Sequence, residues 1–229
     1  NKIVFLLAAI FISEAVLASS PAFSGLFATA NEASTVATNP AGMARLDEGS
    51  HAEVELLTIF SIDNFEIDKN KTTEEGGNPD DDYFPKAIPS IYYVNSFNED
   101  WRYGLTLNIP SGFGSSSGNR WAGRYYNDSF SLFYVSFSPS LSYRVNDKLS
   151  LGVSINATYN YSETKTRVNN DVLDPGTEDG KFQFNAGSFG FSGTISMLYE
   201  FTEKTRIGLV YVGESEADLE DDMHFKNLG

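Results

Sequence analysis

Few side chains in this sequence can do covalent or metal chemistry. There are two histidines, His51 and His224, and no cysteine. That removes thiolate metal sites, cysteine nucleophiles and disulfide scaffolds. The two histidines lie far apart in the chain and give no basis for a triad or a His-based metal cluster. The run Asp80-Asp81-Asp82 lacks the alternating spacing and following glycine of a calcium loop, so neither a metal site nor a cofactor is expected. Sixteen Lys+Arg against 31 Asp+Glu give a net charge of −15, a field that repels polyphosphate and argues against a nucleic-acid partner. What remains is chain geometry. Ile109-Pro110-Ser111-Gly112-Phe113-Gly114 sits in a strand-like run, where a proline cannot donate to a ladder and glycines mark bulges and bends.

The surrounding elements follow a period of two. Leu149, Leu151, Val153, Ile155, Ala157, Tyr159 and Tyr161 alternate strictly with Ser150, Gly152, Ser154, Asn156, Thr158 and Asn160. One face is greasy, and the other is too small and polar for a sandwich exterior. Seven strands are expected, at about 50–67, 87–98, 101–114, 129–146, 149–168, 187–202 and 205–220. Short turns (Phe97–Asp100, Val145–Lys148, Thr202–Thr205) alternate with long polar loops at about 68–86, 115–128 and 168–186. Long alternating strands with this loop asymmetry fit a transmembrane antiparallel β-barrel, apolar face to lipid and polar face to the lumen. Trp101, Tyr103, Tyr143, Tyr199 and Phe201 near strand ends suit interfacial girdles. A secreted sandwich or soluble barrel explains the alternation but not the strand lengths. Residues 1–18 read as a signal peptide: Lys2, an apolar run from Ile3 to Ile12, and an exit through Val16 and Ala18. The run is too short for a spanning helix, which needs ~20 residues. Export to the outer membrane of a Gram-negative cell follows.

Residues 19–49 carry no strand pattern and are small and polar, so they form either a plug in the barrel or a leader to its first strand. Ala33-Ser34-Thr35-Val36, then Asn39-Pro40-Ala41-Gly42-Met43 and Arg45-Leu46, resembles the hatch motif of the FadL/TodX family. Those are outer-membrane channels for long-chain fatty acids and other hydrophobic compounds. Trp101 to Leu107 is similar to that family's third strand, Leu141 to Gly152 to its fourth strand, turn and fifth strand, and Met197 to Tyr211 to its sixth and seventh. The resemblance implies a fourteen-stranded barrel with an N-terminal hatch. It makes 50–229 the first half of the wall and the chain part of a longer protein. The stretch before the hatch motif is shorter than the family's usual Gly-rich segment.

The resemblance also implies functional residues. Asn39, Pro40, Ala41 and Gly42 are the hatch motif. Pro110, Gly112 and Gly114 are expected to shape a lateral gate, the alternative being that the strand ends there and enters its loop. Arg144, Lys165 and Arg167 are candidate partners for a ligand carboxylate, with Lys165 and Arg167 favoured. The alternative is that they are solubility charges, and one residue of register reverses the face they occupy. Arg120, Trp121 and Arg124 are candidates for an external capture groove. The acids Glu74, Glu75, Asp80, Asp81 and Asp82, and Glu214, Glu216, Asp218, Glu220, Asp221 and Asp222, are read as solvated loop faces or as sites of cation bridging to lipopolysaccharide. The expected function is passive uptake of apolar molecules by a monomeric channel in contact with outer-membrane lipid. A non-selective porin or a structural or adhesin barrel is the alternative. An enzyme is not expected.

Overall fold

In a computed structural model, alternating sequence becomes a single antiparallel sheet. The structure describes residues 26–229 apart from 60–64, 73, 81–85, 173–174, 203–204, 216–219 and 228–229. The leader at 1–18, together with Asp81, Asp82, Glu216 and Asp218, lies outside the described residues. The strands are β1 (Ser50–Ile59), β2 (Lys86–Ser96), β3 (Trp101–Ser116), β4 (Ser129–Arg144), β5 (Leu149–Val168), β6 (Gly180–Thr202), β7 (Thr205–Val212) and β8 (Glu220–Lys226). Neighbours in sequence are neighbours in the sheet from β1 to β7, while β8 also pairs with β6. Between Thr194↔Val212 and Gly187↔Glu220, seven steps along β6 face eight along the partner. β7 and β8 therefore both pair with β6, in registers that differ by one residue. The expected seventh strand is corrected accordingly, and β6 begins at Gly180 rather than near 187.

The faces are inverted relative to a water-soluble protein. Val153, Ile155, Phe189, Phe191 and Ile195 are exposed on one face, whereas Ser150, Ser154, Thr158, Thr194 and Ser196 are buried on the other. In water such an arrangement forfeits about 1.5–3 kcal/mol for each large apolar side chain left outside. In hydrocarbon it is the stable choice, because an apolar face meets lipid while the ladders between neighbouring strands satisfy their backbone polar groups. Aromatic pairs bracket the apolar belt. Trp101 and Tyr143 have ring centroids 4.6 Å apart near the short turns, and Phe133 and Tyr161 are 5.0 Å apart toward the long loops. The ten residue steps from Phe133 to Tyr143 span ~33 Å along the strand, or ~25 Å along the membrane normal at a tilt near 40°. That is the height of an outer-membrane apolar band.

The hatch lies against the polar face at the short-turn end. It comprises a 3₁₀ turn (Leu26–Ala28), α1 (Thr35–Thr38) and a 3₁₀ segment (Pro40–Arg45). Val36, Met43 and Leu46 pack on Tyr92 and Val94 of β2, and Ala30 and Ala41 pack on Leu198 of β6. Close approach is possible because the wall has glycines under it. A Cβ at Gly152 would lie 2.3 Å from the Ala41 nitrogen, and one at Gly208 2.0 Å from the Phe27 carbonyl oxygen. A Cβ at Gly104 would meet Met43 Sδ at 2.6 Å. Backbone cannot yield as a flexible side-chain end can. Gly152→Val is therefore expected to expel the hatch while leaving the lipid face untouched. In purified protein, limited proteolysis should then cut within 26–49, with the strands still protected; a hatch as resistant as wild type would contradict this packing.

Candidate functional site

Asn39 is the centre of the hatch. Pro40 follows it at the first position of the 3₁₀ segment, where a missing N–H costs nothing. The Asn39 side chain is fully buried and uses both of its ends. Its Nδ2 donates to the Phe27 carbonyl at 2.7 Å and to the Met197 carbonyl of β6 at 3.3 Å, and its Oδ1 accepts from the Ala41 N–H at 3.1 Å. The Ala41 N–H also donates to Ser196 Oγ at 3.0 Å, and the Gly42 N–H to the Asn39 carbonyl at 2.8 Å. The four motif residues thus form one hydrogen-bonded turn against β5 and β6. A Cβ at Gly42 would fall 2.3 Å from Thr35 Oγ1, which fixes glycine there.

Three arginines hold the far side of the hatch. Arg144 donates from Nε and Nη2 to the Ala44 carbonyl at 3.0 and 2.6 Å. Arg102, itself buried, donates from Nη2 to the Leu46 carbonyl at 3.3 Å. Arg45 reaches the turn after β4, donating to the Asp147 and Asn146 carbonyls at 2.9 and 3.2 Å, and lies 3.3 Å from Glu200. Burial lowers the pKa of Arg45, with Glu200 opposing that shift and Arg144 adding to it. Glu53 of β1 accepts the Ser34 N–H at 2.9 Å. Arg144 is thus a hatch clamp, with Nε and Nη2 committed to backbone. Arg102, Glu53, Ser196 and the wall glycines are partners that pattern reading missed. The signal was present: Gly104 and Gly152 sit at lumen-phase positions, where a hatch must press on the wall.

The second feature is a seam in the wall. β3 runs through Pro110 to Ser116 instead of ending there. The register with β4 shifts between Asn108↔Ser136 and Ser111↔Tyr134, so Ile109 and Pro110 together face Val135. This is a one-residue β-bulge. Pairing of β3 with β2 stops at Ile91↔Leu107, although β2 continues back to Lys86 paired with β1. Beyond the bulge, β2 and β3 are therefore no longer joined as a ladder. A groove of about 620 Å³ lies at this seam, lined by Ala87, Ile88, Ile109, Gly112, Phe133 and Val135 among others. On the lumen side a cavity of about 200 Å³ lies between the hatch (Val36, Ala37, Pro40) and the wall (Pro110, Tyr134, Asn156). The two bulge residues divide the spaces: Ile109 lines the groove and Pro110 lines the cavity.

Lys165 and Arg167 require a correction. The β4–β5 and β5–β6 registers carry no shift along β5, so these residues share the outward phase of Val153 and Ile155. Lys165 pairs with Glu163, and Arg167 Nε with Asp128 Oδ2 at 3.0 Å. Neither points into the lumen, so a ligand carboxylate held there by them is not supported. In the long loops Arg124 is a hub: Nε is 2.6 Å from Asp179 Oδ2, Nη1 donates to the Glu75 carbonyl at 2.6 Å, and Nη2 donates to Tyr125 Oη at 2.6 Å. Tyr125 donates to Asp179 at 2.7 Å, and its pKa is pushed up to about 12 by burial and by that hydrogen bond. Trp121 stacks edge-on with Phe65 at 5.9 Å. Arg124 and Trp121 therefore tie loops together. His51 sits at the start of β1 beside Val94, while His224 faces Gln183 in the long-loop half of β6, so they are at opposite ends.

The sequence model of the family described as "Outer membrane protein transport protein (OMPP1/FadL/TodX)" matches residues 7–229. The chain belongs to that family. It is similar to Outer membrane protein P1 of Haemophilus influenzae, 23% identical over 240 residues that cover 87% of this chain and 52% of that protein. It is also similar to the Long-chain fatty acid transport protein of Salmonella typhi, 22% identical over 213 residues covering 86% and 48%. Among solved structures it resembles a Pseudomonas aeruginosa FadL homologue (TM-score 0.63, 18% identity, 87% of this chain and 52% of that one). It resembles the Ralstonia pickettii toluene transporter TbuX likewise (TM-score 0.60, 20% identity, 83% and 57%). At these identities the likeness fixes the fold, an outer-membrane FadL/TodX β-barrel. The chain spans about half the length of the curated relatives it matches.

Proposed function

We propose that this chain supplies the hatch and the first half of the wall of a channel for passive uptake of apolar small molecules, long-chain fatty acids included. The ligand leaves sideways through the seam between β2 and β3. The observation that carries the reading is the bulge, whose two residues face different spaces: Pro110 the cavity over the hatch, and Ile109 the apolar groove. Lateral exit makes physical sense for such a cargo. Each CH₂ kept out of water is worth ~0.8 kcal/mol, so a route from lumen to bilayer avoids rehydrating the chain. The hatch, seated on β2 through β7, favours this over an open ionic pore. A structural or adhesin barrel has no use for either feature. The cargo of two relatives, named as fatty-acid and toluene transporters, supports the substrate class.

Gly112→Val tests the exit without breaking the wall. A Cβ there meets its nearest neighbours at 3.4 and 3.6 Å, whereas at Gly114 it would be 2.6 Å from the Phe130 carbonyl. The added methyls fall in the groove. Uptake of labelled oleate by cells expressing the protein is expected to fall severalfold in Gly112→Val at equal surface levels. Unchanged uptake would remove the lateral exit, and wild-type uptake equal to empty vector would remove the fatty-acid reading. Salt-dependent conductance in planar bilayers, insensitive to oleate, would instead favour a porin.

A further inference from the structure

The outer face of the sheet changes character above the Phe133–Tyr161 pair. Below it the rungs are apolar, as in Val135–Tyr159–Phe189. The next rungs read Ser131–Glu163–Asn185–Asp222, then Ser129–Lys165–Gln183–His224, then Arg167–Lys181–Lys226. The opposite face changes the other way, with Phe182 stacked on Phe225 at 4.9 Å. This reversal marks the level at which hydrocarbon gives way to headgroups, ~25 Å above the Trp101–Tyr143 pair.

The top rung places three cations directly opposite one another on adjacent strands, with Arg167↔Lys181 and Lys181↔Lys226 as register partners. Like charges so placed, ~5 Å apart, repel. Lys165 of the rung below is paired with Glu163 one rung further down, and Arg167 has Asp128. Among the described residues Lys181 and Lys226 have no ion pair. A chain of net charge −15 thus leaves two lysines side by side, facing outward at headgroup height.

We infer that the Arg167–Lys181–Lys226 rung binds the phosphate of an outer-leaflet glycolipid headgroup. An anion there relieves the repulsion, and the lysine ammoniums donate to it as point charges while Arg167 steadies the edge. The acyl chains of the same lipid fall along Tyr159, Tyr161 and Phe189 below. This differs from divalent-cation bridging through acidic loops, since the protein itself provides the positive charge.

The test uses the protein as extracted from the outer membrane, returned to phosphatidylcholine nanodiscs carrying either bisphosphorylated or dephosphorylated lipid A. Native mass spectrometry counts retained lipid. Wild type is expected to retain the bisphosphorylated form ~10-fold more strongly, and K181Q/K226Q to lose most of that preference. Millimolar inorganic phosphate is expected not to displace the lipid. Equal retention of both lipids by wild type, or an undiminished preference in K181Q/K226Q, overturns the site. Displacement by free phosphate would overturn the glycolipid as occupant. Oleate uptake by the same variant is expected to stay at wild-type level, which separates this site from the transport route.

Discussion

Deleting Pro110 is expected to reduce uptake of labelled oleate by at least ~10-fold, to the level of empty vector, while the barrel still folds. The reason is register. Ile109 and Pro110 together face Val135, and the pairing on either side is regular. With one residue removed, Ile109 alone meets Val135 and β3 runs straight. The strand also regains a backbone donor that proline lacks. β2, which already extends back to Lys86, then has a regular partner beyond Ile91↔Leu107. Each ladder bond restored contributes about 0.5–1.5 kcal/mol, so the closed wall is at least as stable as the native one. Heat-modifiable migration on gels checks folding, and uptake at equal surface levels checks function. Loss of both would mean only that the deletion misfolds the barrel; in that case Gly112→Val carries the test.

The second large effect is expected at Asn39. Replacing it by alanine removes the donor to the Phe27 and Met197 carbonyls and the acceptor for the Ala41 N–H. Ala41 keeps Ser196 Oγ, so the damage falls on the carbonyls and on the volume vacated. Stranding buried polar groups costs about 1–3 kcal/mol each. A loss of about 3 kcal/mol in seating multiplies the unseated fraction of the hatch by on the order of a hundred. Influx of a small chromogenic β-lactam, hydrolysed in the periplasm, is expected to rise accordingly. Asn39→Asp is the sharper control. It keeps the acceptor for Ala41 but sets a carboxylate against the Phe27 carbonyl, so it should leak as Asn39→Ala does. Leakage in neither variant would mean that the hatch is held by packing and the three arginines alone.

Much of the fold was legible in the residues. The thirteen-residue alternation from Leu149 to Tyr161 specified β5, its faces and, with the loop asymmetry, the membrane. The start of β6 was not legible, because in Lys181-Phe182-Gln183-Phe184-Asn185 the apolar phase is opposite to that of Phe189-Gly190-Phe191. A reading tied to one phase sees a loop there. The phase reverses because the strand crosses from hydrocarbon to headgroups. β8 was hidden for the same reason, since Glu220-Asp221-Asp222 reads as a solvated tail until β6 is seen beside it. Asn39-Pro40 announced a turn, but its partner Met197 lies 158 residues away, and no local pattern carries that distance. The outward placement of Lys165 and Arg167 follows from counting twos from Leu151. What sequence could not exclude was a bulge in between, such as β3 does have at Ile109-Pro110.

Lateral exit is most directly tested by closing the seam reversibly. The chain has no native cysteine, and Ala87 and Ile109 both line the groove from opposite strands. In Ala87→Cys/Ile109→Cys, a short bifunctional methanethiosulfonate would tie β2 to β3, and a reductant would release them. Each single-cysteine variant treated alike controls for bulk. Oleate uptake is expected to fall to empty-vector level on cross-linking and to return to its starting rate on reduction. Uptake that persists in fully cross-linked protein would contradict the lateral route and send the ligand through the hatch instead.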